Sequence, residues 1–419
     1  METKSKYKMT EVGEIPVDWK VEKLGNISEF KNGYAFNAKK YTQSGKKIIR
    51  MGNISVNGKL VLNDTNVRYC SIEEYDKLIE YHLNKNDLII CMTDVTPGKA
   101  LVGRTAIIDK DNEYVLNQRV GRIRIVRDEI DNFYLHYFTN FEIFLNPIKE
   151  KTSGSAQFNL STVEIKNAYI AYPPLKEQQK IAEILSTVDE QIEQTDQLIE
   201  KTKELKKGLM QQLLTKGIGH TEFKQSELGE MPVEWEVTKQ GDIANFLNGR
   251  AYKQTEFTES GTPIIRIQNL TGGNNYVYSD MQLEENKYVD YGDLIYAWSA
   301  TFGPYIWKGS KGIYHYHIWK IEVNENLLDK YFFFYRLDQL SVEMHSQKNG
   351  SAFAHITKGG MESHLVPLPP LKEQQKIAEI LSSVDEDIEG YEEEKAKYEE
   401  LKKGLMQQLL TGKTRVKVD

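Results

Sequence analysis

Fourteen residues, PPLKEQQKIAEILS, occur twice without a change, at Pro173–Ser186 and at Pro369–Ser382. A second block, ELKKGLMQQLLT, is also duplicated intact, at Glu204–Thr215 and Glu400–Thr411. Both blocks keep the same offset, so one long segment is repeated as a whole. The stretches between them are related more loosely. GEIPVDW at Gly13–Trp19 returns as GEMPVEW at Gly229–Trp235, Asn32-Gly33 as Asn248-Gly249, and Ile48-Ile49-Arg50 as Ile264-Ile265-Arg266. A period this long marks a duplicated domain with its connector rather than a solenoid unit. The expected order is domain 1–172, helix 173–216, domain 217–368, helix 369–411 and a tail 412–419.

The repeated segments read as helices. Apolar residues recur at three- and four-residue steps through Ile181, Leu185, Val188, Ile192, Ile199, Thr202, Leu205, Leu209 and Leu213. The second copy has Ile377, Leu381, Val384, Ile388, Tyr391, Tyr398, Leu401, Leu405 and Leu409. This is a coiled-coil type of seam, with charged and amide side chains on the other faces. Pro173-Pro174 and Pro369-Pro370 stand at the helix starts, where proline is tolerated. Forty residues at 1.5 Å each make a rod of roughly 60 Å. A narrow apolar stripe needs a cover, and the other copy within the same chain is the cover with the lower entropic cost. The connectivity then makes the pair antiparallel. The expectation is a mixed α/β (α+β) chain: two homologous globular domains separated by two long antiparallel helices that form an intramolecular coiled coil, with pseudo-two-fold symmetry. Gly208 and Gly404 inside these helices fit either a close backbone approach or a kink.

Each domain alternates short β-rich runs with turns and one aromatic helix, NFYLHYF at Asn132–Phe138 or KYFFFY at Lys330–Tyr335. Cys70 and Cys91 are too few for a disulfide framework and fit a reducing, cytoplasmic setting. The N-terminal METKSKYKMT lacks the apolar run of a secretory signal. No stretch is long and apolar enough to span a membrane. The net charge is −7, but it is uneven. Residues 1–172 hold 25 Lys and Arg against 22 Asp and Glu, whereas residues 217–368 hold 13 against 19. DNA affinity rests on neutralised phosphates, so this balance implies a weak intrinsic grip and a partner that supplies the rest.

Signatures of catalysis are missing. The chain has no complete phosphate-binding loop, since Gly412-Lys413-Thr414 lacks the upstream glycine, and no dinucleotide or H-E-x-x-H motif. The Pro-Pro after Tyr172 is read as a helix start, since methyltransferases place Asp or Asn before it. His315 and His317 lie on one strand face, yet nothing completes a metal set. No catalytic residue, no metal ligand and no cofactor bound by this chain is therefore expected.

The chain closely resembles the specificity (S) subunits of type I restriction-modification systems. GEIPVDW and GEMPVEW, the two PPLKEQQKIAEILS blocks, the GSA turns at Gly154–Ala156 and Gly350–Ala352, and LLTGK at Leu409–Lys413 carry the likeness. The resemblance implies two target recognition domains, each reading one half of a split double-stranded DNA sequence. It implies helices that set the spacing and dock two methyltransferase (M) subunits, with restriction/translocase (R) subunits joining a larger assembly. S-adenosylmethionine, ATP and Mg are expected on those partners, and no membrane is involved. The competing readings are a non-DNA coiled-coil scaffold carrying two ligand modules, a specificity module of a related restriction system, and a solitary nuclease or methyltransferase.

Base-reading candidates are polar residues near strand ends and turns, because Arg pairs with guanine and Asn or Gln with adenine in the major groove. In the first domain they are Tyr34, Lys39, Arg50, Asn53, Lys99, Arg104, Gln118, Arg119, Arg122 and Gln157. In the second they are Arg250, Lys253, Arg266, Asn269, Thr301, His315, His317, Lys348 and His355. Arg50 and Arg266 occupy matching framework positions and fit a structural salt bridge equally well.

Overall fold

The structure is a computed structural model that describes residues 6–299, 301–346 and 357–418. Two compact units emerge: residues 1–194 with 394–419, and residues 195–393. Both long helices, Leu175–Lys216 and Leu371–Leu409, contribute one half to each unit.

The first unit opens with a hairpin, Tyr7–Thr10 against Gly13–Pro16, followed by Trp19, which is buried in the main core. Strands Ser28–Asn32, Val120–Ile125, Leu88–Cys91 and Thr105–Ile107 form one antiparallel sheet in that order. A second sheet orders Tyr69–Cys70, Lys46–Ile49, Tyr114–Leu116 and His82–Leu83, with its central pair parallel. Strand Tyr169–Tyr172 pairs with Lys20–Lys23 and leads straight into the first long helix. The second unit repeats this plan. Its hairpin is Phe223–Ser226 with Gly229–Pro232, and Trp235 is buried after it. Its two sheets run Ala244–Asn248, Ile318–Val323, Leu294–Ala297, Gly303–Ile306 and Val277–Ser279, Thr262–Ile265, Gly312–Tyr314, Tyr288–Val289.

The invariance of the PPLKEQQK block has a physical cause. Gln178 is fully buried; its Oε1 accepts from the Asp131 N–H, and its Nε2 donates to the Glu129 and Pro173 carbonyls. Gln374 does the same with the Asp329 N–H and the Leu327 and Pro369 carbonyls. One amide thus sockets each helix start to its own unit, and a buried amide is tolerated only when so satisfied.

Within the first unit, helix residues 175–194 pack antiparallel to 394–409. Ile181 and Leu185 share the core with Leu405, Leu409 and Leu410. Asp189 accepts from both the Tyr137 hydroxyl at 2.8 Å and the Lys402 ammonium at 2.7 Å. Within the second unit, Leu209, Leu213 and Leu214 pack with Ile377 and Leu381, and Asp385 takes the Tyr335 hydroxyl at 2.8 Å and Lys206 at 2.6 Å. The seam expected from the sequence needs one correction. Leu205 and Leu401 are 55% and 48% exposed. Their neighbours Lys206 and Lys402 take the packed side at this level, and a residue about 100° further round the helix is turned outward. Gly208 and Gly404 face open space, since a Cβ at either would meet nothing within 4 Å, so neither serves a close approach.

The free edge of each helix-start glutamate is closed differently. Glu177, almost fully buried, is held by Arg415 through two bonds of 2.7 and 2.8 Å, and Arg415 also grips Asp18. The equivalent Glu373 accepts from Trp235 Nε1 at 3.0 Å and the Ile218 N–H at 2.9 Å, and lies 2.8 Å from His220 Nε2. In the first unit the equivalent Trp19 Nε1 is left without a partner.

Candidate nucleic-acid interface

The same three-segment junction forms in each unit where the two sheets meet. After the Asn-Gly turn, the Tyr34 N–H donates to the Leu116 carbonyl at 2.8 Å and the Gln118 N–H to the Tyr34 carbonyl at 2.9 Å. The Asn117 N–H reaches the Ile49 carbonyl at 3.0 Å, just before Arg50. In the second unit Arg250 bonds Tyr314, Tyr316 bonds Arg250, and His315 bonds Ile265, all at 3.0–3.1 Å. Gly33 and Gly249 are required here. A Cβ on Gly33 would sit 2.1 Å from the Asn117 oxygen, and one on Gly249 would sit 2.2 Å from the His315 oxygen. The backbone of the junction is therefore common to both units, while the side chains it presents differ. Gln118 and Arg119 are exposed on one, and Tyr316, between the half-buried His315 and His317, on the other; Asn117 is buried, and its Oδ1 accepts from the Arg119 N–H.

The residues shared by both junctions are structural. The Arg50 and Arg266 backbone N–H groups donate to Asn53 and Asn269 Oδ1 at 2.9 and 3.0 Å. Both asparagines are buried and also donate to nearby carbonyls. The guanidinium groups of Arg50 and Arg266 reach the Asn66 and Asn275 carbonyls rather than a carboxylate. Matching arginines thus close matching loops, bonding carbonyls rather than forming the salt bridge that the sequence left open beside base contact. Their Nε atoms are buried without a partner.

Other candidates are spent inside their units. Lys99 donates to the Lys149 carbonyl at 2.8 Å and lies over the Phe158 ring. Arg104 donates to the Asn140 carbonyl, and burial lowers its pKa. Arg122 caps the His82 and Glu80 carbonyls, beside the Arg124–Asp87 ion pair. Arg250 is clamped bidentate by Glu256 at 2.6 and 3.0 Å. Gln157 bonds Asn159 across its own turn at 3.1 Å.

Exposed positions remain in both units. Gln118 and Arg119 lie at the first junction and Lys39 on a turn; Lys253 and Thr301 are exposed in the second unit. Tyr34 is half-buried beside Lys40, Glu73 and Lys77 in an open cavity of about 450 Å³. His315 and His317 are half-buried with ring centroids 4.9 Å apart. Burial beside His317 and Arg266 pushes the His315 imidazole down to about 4. Lys348 and His355 lie outside the described residues. Tyr316, 40% exposed between the two histidines, belongs to the same tip, although a hydrogen-bonding code selects only its neighbours. The sequence signal is the aromatic density of YHYHIW at 314–319 against LNQRVG at 116–121.

The arrangement defines a class of protein: two copies of one scaffold with different exposed tips, each socketed onto paired helices. The family description "Type I restriction modification DNA specificity domain" matches residues 16–204 and 232–401, and the chain belongs to that family. It is 32% identical over 431 residues to the putative type I restriction enzyme MjaX specificity subunit of Methanocaldococcus jannaschii, covering 98% of this chain and 97% of the relative. The MjaVIII specificity subunit of the same organism is 29% identical over 424 residues, covering 96% and 94%. The crystal structure of the type I restriction-modification S subunit from M. genitalium has the same fold, with a TM-score of 0.61 at 16% identity and coverage of 96% and 97%. Among the described residues no helix is long and apolar enough to cross a membrane.

Proposed function

We propose that this chain is the sequence-reading, non-catalytic subunit of a type I methyltransferase and endonuclease complex in the cytoplasm. Each unit reads one half of a bipartite double-stranded DNA target through its junction, Gln118 and Arg119 in one, His315, Tyr316 and His317 in the other. The single observation that carries this is an identical junction backbone bearing different exposed side chains, which is the design required of two readers with two targets. Base edges in the major groove are told apart by such tips, while backbone contacts from residues such as Lys39 and Lys253 only position the duplex.

The long helices set the distance between half-sites and dock two methyltransferase subunits, which bring S-adenosylmethionine; restriction/translocase subunits bring ATP and Mg. The uneven charge of the two halves supports dependence on those partners for affinity. The test is methylation mapping of the host genome with and without this gene. The expected result is a gene-dependent, split adenine-methylation motif. A methylome unchanged by deletion, or a continuous motif, defeats the reading.

A further inference from the structure

The second unit carries an aromatic ladder that runs from its core to its surface. Tyr296 stacks on Trp319 with centroids 5.9 Å apart, and Trp319 stacks on Trp298 at 5.9 Å. Trp298 meets His317 at 5.2 Å and Tyr316 at 6.1 Å, and Tyr316 lies 3.9 Å from His317 and 4.4 Å from His315. Burial falls along this series: Tyr296 and Trp319 are 0% and 2% exposed, Trp298 is half-buried, and Tyr316 is 40% exposed. Trp298 Nε1 donates to the Tyr316 carbonyl at 2.8 Å and fixes the tip from below.

The first unit builds the same strands without these rings. Ile90 pairs with Gly121 where Tyr296 pairs with Trp319. The Met92 N–H bonds the Arg119 carbonyl where the Trp298 N–H bonds the His317 carbonyl. The exposed end of the ladder is therefore free to serve recognition rather than folding.

An aromatic ring entering the major groove finds a single apolar group on the base edges, the 5-methyl of thymine. We propose that Tyr316 is a specificity-determining residue that reads a thymine methyl in the half-site of the second unit, braced by Trp298 and flanked by His315 and His317. This rests on the DNA-reading function of the junction and deepens it: one unit reads by amide and guanidinium hydrogen bonds, the other by ring contact. The depressed His315 basicity agrees, because a neutral imidazole brings no cation toward phosphate at neutral pH.

The test uses the complete chain with its methyltransferase subunits and duplexes carrying the mapped target, with each thymine replaced in turn by uracil. At one thymine of one half-site, uracil should lower methylation efficiency about four- to fivefold, the worth of one buried methyl. Tyr316→Ala should show the same loss on the thymine duplex and no further loss on the uracil duplex. Tyr316→Phe should behave as the unsubstituted chain. Gln118→Ala should affect only the opposite half-site, which shows that the complex is otherwise intact. A half-site without an A·T pair, the absence of any uracil-sensitive thymine, or losses that multiply in the combination overturns the proposal. A complex that methylates no split target at all defeats the parent reading instead.

Discussion

Asp189 and Lys402 lie 213 positions apart in the chain and meet at 2.7 Å, and the duplicated pair Asp385 and Lys206 meets at 2.6 Å. Each aspartate also accepts a tyrosine hydroxyl, from Tyr137 or Tyr335, so it ties an aromatic helix to both long helices inside its unit. Such a joint fixes register, because sliding either helix by one residue breaks two charge-assisted bonds at once. Asp189→Ala should destabilise its unit by about 2–3 kcal/mol, the usual worth of bonds to a charged group. Asp385→Ala should cost less, because Asp385 is 33% exposed against 21% for Asp189. Denaturant midpoints of the two variants check this, and the reverse ranking refutes it.

The helix sockets make a sharper claim. Gln178→Leu leaves the Asp131 N–H and two carbonyls without their partner inside the fold. Gln374→Leu does the same in the other unit. Each orphaned group costs about 1–3 kcal/mol, so either substitution should lower stability by at least about 3 kcal/mol. Gln178→Glu keeps the acceptor but sets a buried carboxyl oxygen against the Glu129 and Pro173 carbonyls, so its cost should be larger at neutral pH than at acid pH, where the protonated carboxyl donates one bond. Urea unfolding read by tryptophan fluorescence distinguishes the three.

Removing the tail after Gly412 deletes Arg415 and leaves Glu177 without its cation. The first unit should lose about 1–3 kcal/mol by this, while the second, whose Glu373 is held by Trp235 and the Ile218 N–H, should be unaffected. Asp18 adds a pH signature. Its carboxyl is held below the usual range chiefly by the Arg415 hydrogen bond. A depressed carboxylate contributes stability that is present above its unfolded pKa of about 3.9 and is lost as pH falls through the lower folded value. The truncated chain should lack this acid-limb component in its melting profile.

His136 predicts a second pH dependence, of separate origin. Its imidazole is pushed down to about 4, chiefly by burial and then by Lys402, with Asp189 opposing both. Its ring faces Thr105 Oγ1 and the Asn140 amide. Folding then favours the neutral form. Stability from this source is full above the unfolded value of about 6.5, declines as pH falls below it, and levels off near the folded value. His136→Gln should flatten the stability curve of the first unit between about 6.5 and 4. An unchanged slope sinks the assignment.

At the interface, Arg119→Ala should cost about 1–3 kcal/mol and relax discrimination at one base pair. Lys39→Ala and Lys253→Ala should weaken binding evenly across sequences and reduce the salt slope by about 1 each. Binding titrations of the methyltransferase complex over a range of salt separate the two behaviours.

Much of this architecture was legible in the sequence, because duplication supplies an internal comparison. Exact repeats located the helices, whereas the returning Asn-Gly and Ile-Ile-Arg motifs marked the duplication without revealing that they meet at one junction. The same comparison misleads where identity reflects burial. Arg50 and Arg266 match because each closes a loop against a carbonyl, and Asn53 and Asn269 because each is buried beneath that loop. Charge alone could not reveal that Arg122, Lys99 and Arg104 cap carbonyls distant in sequence. The Asp189–Lys402 joint was hidden because its helical members lie in repeated segments, where a seam reading counts apolar residues only.

At Gly33 and Gly249 the Asn117 and His315 carbonyls press where any larger residue would need room. The loop is thereby pinned at its root by atoms that carry no information about the target. The exposed neighbours, Gln118 and Arg119 in one unit and Tyr316 in the other, can change without disturbing that root. A change at those tips in one half of the molecule thus leaves the other half, and both long helices, in their inherited form.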